Sequence, residues 1–314
     1  MQSFSKRRLL ITGSSGMLGS HILDFASKNM NLEIVNPSRS ELDLFNAEQT
    51  FNFLKSKKIT SIIHCAAQVG GIQKNIEDPS GFLSKNLLID TSIIWAAERL
   101  GIDELLYFGS SCMYPRVSEQ PMITDQILTG ALEPTNESYA LAKIVGSKLV
   151  TRIAKQNNLR WRVLILSNLY GPRDNFEETS SHLLAAIIRK LSEAKFKNLN
   201  EVIIWGDGHS RREFTYVEDV AQYVIQEYAN MKNWPYMMNL GCGIDYSVLQ
   251  FYEMVAEKIG YKGLFSFDNS KPNGMPRKLL DSSVAAEHNW QPKTSITEGI
   301  EATFNWYLNQ REEV

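Results

Sequence analysis

Residues 8–28 do most to limit what this chain can become. Arg8-Leu9-Leu10-Ile11-Thr12 is an apolar run of strand length, Gly13-Ser14-Ser15-Gly16-Met17-Leu18-Gly19 follows without a break, and Leu18, His21, Ile22 and Phe25 then recur on one side of a helix. A strand without polar alternation is buried on both faces, the habit of parallel sheets. The glycines permit positive φ and close backbone approach. The helix behind them turns its first amides and the positive end of its dipole toward the turn. Strand, glycine turn and helix in this order suit the pyrophosphate of a dinucleotide.

The same rhythm continues. Apolar runs at 32–35, 61–64, 104–109 and 161–167 alternate with helical patterns near 47–57, 84–100 and 138–157. This predicts an α/β fold built on a doubly wound parallel sheet (Rossmann). Ligands of such sheets lie at the carboxyl ends of the strands, where Gly13, Ala66, Ser110 and Ser167 gather. After residue 170 the pattern changes to a Ser/Glu/Thr-rich loop, a helix near 181–197, a strand at 202–205 and the turn Gly206-Asp207-Gly208. A helix at 217–230 and a strand at 237–240 return to the first domain. The expected division is residues 1–170 plus about 213–243 for the dinucleotide, and about 171–212 plus 244–314 for a second, smaller α/β substrate-binding lobe.

Tyr139 and Lys143 stand four residues apart in a helical pattern, so phenol and ammonium share a face. A neighbouring cation favours the phenolate and brings the phenol's proton within reach of neutral-pH chemistry. Ser110, just after a strand, can donate to the same substrate oxygen. Taken alone, Tyr-x-x-x-Lys is more often a half-buried tyrosine beside a solvated lysine. Behind a dinucleotide turn it reads as a carbonyl reductase. The second strand, Leu32-Glu33-Ile34-Val35, runs into Asn36-Pro37-Ser38-Arg39 with no acid for a ribose 2′-hydroxyl. Arg39 suits a 2′-phosphate instead, which favours NADPH.

Composition excludes other classes. A net charge of −2 gives no general attraction to nucleic acid or an acidic membrane, and no apolar run reaches membrane-spanning length. Met1 to Arg8 leads straight into the first strand and is read as too short for a signal peptide. Cys65, Cys112 and Cys242 show no CxxC spacing, which points to reduced thiols in the cytoplasm. No metal is expected, because His64 and Cys65 are strand neighbours facing opposite ways.

The glycine turn, Ser110, Tyr139 and Lys143 resemble the extended short-chain dehydrogenase/reductase family. Longer strings are similar to its GDP-sugar epimerase/reductase branch: Val69-Gly70-Gly71-Ile72, Gly109-Ser110-Ser111-Cys112-Met113-Tyr114-Pro115, Leu132 to Glu137, Asn168-Leu169-Tyr170-Gly171-Pro172 with Asp174-Asn175-Phe176, Arg212-Glu213-Phe214, and Pro276 to Asp281. The resemblance implies conversion of GDP-4-keto-6-deoxy-D-mannose to GDP-L-fucose, by epimerisation at carbons 3 and 5 and NADPH reduction at carbon 4. It implies Cys112 as base and His182 as acid beside Ser110, Tyr139 and Lys143. Cofactor contacts would come from Gly13, Ser15, Gly16, Met17, Leu18, Gly19, Arg39, Ala66, Lys143 and His182. Substrate contacts would come from Lys190, Trp205, Arg212 and Lys278. A homodimer through the helices near 84–100 and 138–157 is expected by the same analogy.

Three positions depart from the branch: Ser15 and Lys190 stand where relatives carry arginine, and Gln68 stands for a lysine. Another GDP-4-keto sugar, of colitose or heptose type, would use the same catalytic set. A 4,6-dehydratase would carry an acidic pair where Ser111-Cys112 stand. A non-catalytic dinucleotide-binding regulator would have no use for Tyr139, Lys143, Cys112 and His182 together.

Overall fold

In the computed structural model the described residues are 7–29, 32–271 and 273–312. Residues 1–6 of the opening stretch, read above against a signal peptide, lie outside them. The first half runs β1 (Arg8–Thr12), α1 (Met17–Asn29), β2 (Glu33–Val35), α2 (Ala47–Ser56), β3 (Ser61–His64), α3 (Ile72–Glu77), α4 (Pro79–Arg99), β4 (Glu104–Ser110), α5 (Glu137–Asn157) and β5 (Arg160–Leu166). The second runs β6 (Asn168–Tyr170), α6 (Leu183–Phe196), β7 (Glu201–Trp205), β8 (Arg211–Tyr216), α7 (Val217–Glu227), β9 (Met237–Leu240), β10 (Asp245–Ser247), α8 (Val248–Ile259), β11 (Leu264–Asp268), β12 (Arg277–Lys278), α9 (Ser283–Glu287) and α10 (Ile296–Glu312).

Among the described residues, six parallel strands form one sheet in the order β2-β1-β3-β4-β5-β9. The order steps outward from β1 in both directions, so the turn after β1 and the loop after β3 sit where the sheet reverses, the place for a ligand in such sheets. The strands are buried runs, as their sequence requires: Leu9, Leu10, Ile11, Ile62, Ile63, Leu105, Leu106 and Val163 to Ile165 have no exposed surface. One face packs on residues of α2, α4 and α5, and the other on α1 and α7. Helix starts are locally encoded. Asp78 accepts the Gly81 amide at 3.0 Å ahead of Pro79, and Ser247 with Gln250 makes a reciprocal cap for α8, which Gly260 ends at φ +74°.

The second sheet centres on β8, which pairs with β10 antiparallel and with β12 and β6 parallel. β7 and β11 form a separate parallel pair. Between these strands α6, α8 and α10 enclose a third apolar cluster that includes Phe214, Phe251 and Ile300. Of the stretch expected in the substrate lobe, Ala285 and Trp290 are buried with residues of the first sheet, and the Trp290 indole donates to the Gly241 carbonyl at 2.7 Å.

Candidate active site

A cavity of about 1520 Å³ opens between the carboxyl ends of the first sheet and the strands around β8. Pockets for one small ligand are about 300–1,000 Å³, so this one has room for two. All seventeen residues singled out from the sequence line it: Gly13, Ser15, Gly16, Met17, Leu18, Gly19, Arg39 and Ala66 of the cofactor set, Ser110, Cys112, Tyr139, Lys143 and His182 of the catalytic set, and Lys190, Trp205, Arg212 and Lys278 of the substrate set.

The glycine turn fits a dinucleotide. Gly13 has φ +65°, and a Cβ there would lie 2.7 Å from the Ala66 amide nitrogen; one on Gly19 would lie 2.2 Å from the Gly13 carbonyl oxygen. Side chains are thus excluded where β1, β3 and α1 converge, and the opening of α1 lies bare to the cavity. Arg39 is exposed at the end of β2, as a 2′-phosphate contact requires. Glu41, which the sequence reading did not weigh, also lines the cavity. Its carboxylate is taken by Ser38, whose amide and hydroxyl both donate to it at 2.8 Å, and these bonds hold it below the usual carboxylate range.

β4 delivers the chemistry. Ser110 closes the strand, and its Oγ accepts the Cys112 amide at 3.2 Å, fixing the turn that presents the thiol while its own hydrogen stays free for a ligand. Two donors converge on Cys112 Sγ: Asn136 Nδ2 at 3.3 Å and Lys278 Nζ at 3.4 Å. Asn136 lies in the stretch from Leu132 to Glu137, and this contact makes it part of the site. Lys278, expected among the substrate contacts, stands against the thiol. Arg212 on the adjoining strand donates to the carbonyls of Arg211 and Asn273 at 2.8 and 3.2 Å, and burial pushes its guanidinium down to about 10, against the pull of Cys112 and Glu133. The Lys190 ammonium lies 5.1 Å from the centre of the Trp205 ring and Lys271 5.3 Å, so the indole is flanked by two cations.

The expectation that Lys143 favours the Tyr139 phenolate is reversed. Burial foremost, then the charges of Cys112 and Asp90, raise Tyr139 above the ordinary tyrosine range. The Lys143 ammonium is engaged by Asp90 of α4, at 3.3 Å, and its field is largely cancelled. Tyr139 is therefore a stocked proton donor. His182 precedes α6, and burial lowers its imidazole from the usual value, which favours the neutral ring. Its loop is gripped by the Gly70-Gly71 turn: the Gly71 amide donates to the Ser180 carbonyl at 3.2 Å, and a Cβ on Gly71 would sit 2.7 Å from the Ser181 carbonyl oxygen. Asp90 gave one sequence signal, a carboxylate on the helix face it shares with Asn86, Ile89, Ile93 and Ile94.

Comparison with known proteins agrees with this geometry. The family model described as NAD dependent epimerase/dehydratase family matches residues 9–241. A GDP-L-colitose synthase of Yersinia pseudotuberculosis is 41% identical, covering 97% of this chain and 99% of the relative. A GDP-L-fucose synthase of Escherichia coli K12 is 38% identical over 98% of both chains. Among solved structures, a GDP-6-OMe-4-keto-L-xylo-heptose reductase of C. jejuni superposes with a TM-score of 0.90 at 28% identity, over 99% of both chains. A GDP-mannoheptose C4 reductase of Campylobacter jejuni with NADP bound gives a TM-score of 0.86 at 28% identity, covering 98% of this chain and 99% of the other.

Proposed function

We infer that this chain, which belongs to the NAD dependent epimerase/dehydratase family, is an NADP-dependent oxidoreductase with epimerase activity toward GDP-linked 4-keto sugars. Its particular reaction, in our reading, turns GDP-4-keto-6-deoxy-D-mannose into GDP-L-fucose. The observation that carries this is the sharing of one cavity by Ser110, Cys112, Tyr139, Lys143 and His182 with Lys190, Trp205, Arg212 and Lys278.

The chemistry follows from the ketone. A proton on a carbon beside it is acidic because the resulting charge spreads onto oxygen, and Ser110 and Tyr139 can hold that oxygen. Cys112 takes the proton from one side and His182 returns one from the other, which inverts the carbon. A GDP diphosphate brings negative charge into the cleft and favours the protonated imidazole that burial disfavours. After the two inversions Tyr139 gives its proton to the carbon-4 oxygen while Lys143 and Ser110 fix the geometry. NADPH, when bound along the Gly13 turn and Arg39, supplies the hydride to carbon 4.

A second reading keeps the cleft and changes the sugar. The 41% identity to a GDP-L-colitose synthase favours a 3,6-dideoxy substrate, in which only carbon 5 is a centre to invert. Both GDP-4-keto sugars are to be supplied with NADPH, cofactor absorbance followed, and product stereochemistry read by NMR. Turnover of the 6-deoxy sugar to the L-galacto product supports the first reading; turnover of the dideoxy sugar alone replaces it. Cys112→Ser should stop solvent deuterium entering carbons 3 and 5 while NADPH still binds. Undiminished exchange removes Cys112 from the mechanism.

We further propose a cytoplasmic homodimer joined across α4 and α5, where Leu88, Trp95, Leu141 and Val145 are exposed. Cys65, Cys112 and Cys242 are free thiols, and among the described residues no helix is long and apolar enough to cross a membrane.

A further inference from the structure

Beneath the cleft lies a buried acid that the reaction above leaves unused. Asp90, in mid-α4, is 1% exposed, and donors from three other elements surround its carboxylate. Oδ2 accepts the Tyr107 hydroxyl of β4 at 2.5 Å, and Oδ1 accepts His64 Nε2 of β3 at 3.1 Å. The Lys143 ammonium of α5 approaches the two oxygens at 3.3 and 3.4 Å. α5 can come this close because residue 146 is glycine: a Cβ there would lie 2.3 Å from the Tyr107 hydroxyl oxygen and 3.1 Å from Asp90 Oδ2. On the far side of His64, Nδ1 is 2.8 Å from Thr12 Oγ1, the end of β1, and the same oxygen accepts the Ala66 amide at 3.2 Å.

Burial and the hydrogen bonds together set the states of these groups. An ionised Asp90 only accepts, so His64 Nε2 carries a hydrogen for it. Burial moves the imidazole toward its neutral form, in which Nδ1 accepts, so the Thr12 hydroxyl, itself accepting the Ala66 amide, gives its single hydrogen to Nδ1. Cys65 beside Lys143 is held protonated by burial, as are Tyr107 and Tyr139. That leaves one anion, Asp90, against one cation, Lys143, which is 4% exposed. A buried ammonium without an anion is strongly disfavoured, so the pair stands or falls together.

We propose that Asp90 is the positioning residue for Lys143: it keeps the ammonium charged and fixed under the cleft, and through His64 and Thr12 ties that position to the turn at Gly13. The inference deepens the proposed reaction and rests on its assignment of Lys143. Asp90 also adds to the burial that makes Tyr139 hold its proton until a substrate oxygen takes it, since the Lys143 charge is countered from below. Removing the carboxylate acts in one direction on both groups above it. The ammonium sheds its proton more readily, and the phenol loses a neighbour that raises it, so the alkaline limb of ketone reduction moves to lower pH.

Two measurements test the pair without any substrate. The first is reductive methylation of the ligand-free enzyme by formaldehyde across a pH series, with the Lys143 peptide quantified by mass spectrometry. Asp90→Asn is expected to displace the labelling profile to lower pH by about one unit, a tenfold change in rate at fixed pH, and Asp90→Glu, which keeps the anion, to move it back. Coincident profiles for wild type and Asp90→Asn overturn the proposal. The second is 15N NMR of the wild-type histidines, which stands even where a variant fails to fold. His64 should remain a neutral Nε2–H imidazole across the neutral range, and a titrating His64 or the Nδ1–H tautomer overturns the network. In turnover, Asp90→Asn should lower kcat for ketone reduction about a hundredfold with the KM of the GDP-sugar little changed, the mark of an interaction needed in the transition state. An unchanged kcat and pH profile also overturns it. An enzyme that shows the labelling shift but reduces no GDP-4-keto sugar loses the proposed reaction and keeps the ion pair.

Discussion

Lys278 donates to the Cys112 thiol at 3.4 Å although 166 positions separate them. β12 carries the lysine and pairs with β8, in register with Arg212, so the small sheet delivers a cation to the turn that ends β4. That contact holds in place the sulfur that takes a proton from carbon in the proposed reaction. Lys278→Met should therefore slow deuterium exchange at the substrate carbons about ten- to a hundredfold. Binding of NADPH should be unaffected. Exchange at the wild-type rate, with a raised KM for the GDP-sugar instead, would return Lys278 to the substrate-binding role the resemblance implies.

That contact shows where the sequence stops being readable. The strands of the first half and its helices other than the short α3 are legible because each is a local pattern, and β1, β3 and β4 begin where the apolar runs begin. The small sheet is not. β8 is Arg211-Arg212-Glu213-Phe214-Thr215-Tyr216, whose charges break any apolar run, and its partners β6, β10 and β12 are two or three residues each. Only pairing across long loops makes these segments strands. The candidate residues were visible as types at spacings, but Lys278 against Cys112, Asp90 under Lys143 and Gly71 against Ser181 are products of register. For the same reason the sign of the effect on Tyr139 came out reversed: spacing along a helix reveals Lys143 and hides both the burial of the phenol and the anion behind the lysine.

Tyr139 stands raised above the ordinary tyrosine range by burial, so its proton is present throughout the neutral range. Under the proposed reaction Tyr139→Phe removes the proton donor and leaves the packing. Ketone reduction should fall by about 10²- to 10⁴-fold. Deuterium entry beside the ketone should survive at a measurable rate, because Ser110 still holds the oxygen. Equal losses in the two steps, read by NMR on one sample, would mean that Tyr139 serves binding rather than proton transfer.

Gly71→Ala places a methyl group 2.7 Å from the Ser181 carbonyl oxygen, a backbone atom next to His182. The His182 loop must shift, at a cost of about 1–3 kcal/mol if it behaves like other overpacked sites. Exchange that depends on His182 should drop, while NADPH reduction of an already epimerised ketone, with Tyr139 as proton donor, should persist. Wild-type exchange rates together with an unchanged melting temperature would show that the loop absorbs the methyl group without moving the imidazole.

Leu88 and Trp95 are seven residues apart on α4, and Leu141 and Val145 four apart on α5, so each pair lies on one helix face. α4 and α5 pack side by side, and together they present an apolar strip. Light scattering at micromolar concentration should report twice the 35.7 kDa chain mass. Trp95→Glu should halve it, since a carboxylate buried in such an interface is unpaired. A monomer for the wild type would discard the dimer.

Asp174, in the loop after β6, is 8% exposed, and burial raises its carboxyl to about 7 against the single amide of Asn175 that donates to it at 2.7 Å. The unfolded chain ionises this group near pH ~4. Between these values the unfolded state has lost its proton and the folded state has kept it. The contribution to stability is thus fully present below pH ~4 and is lost as pH rises through about 7. Asp174→Asn keeps the oxygen that accepts the Asn175 amide and removes the ionisation. Its melting temperature relative to wild type should rise with pH across that window by a few degrees, each pKa unit being worth about 1.4 kcal/mol at most, and then level off. A difference that stays flat from acid to neutral pH would mean that the Asp174 carboxyl is solvated or paired in solution and ionises as it does in the unfolded chain.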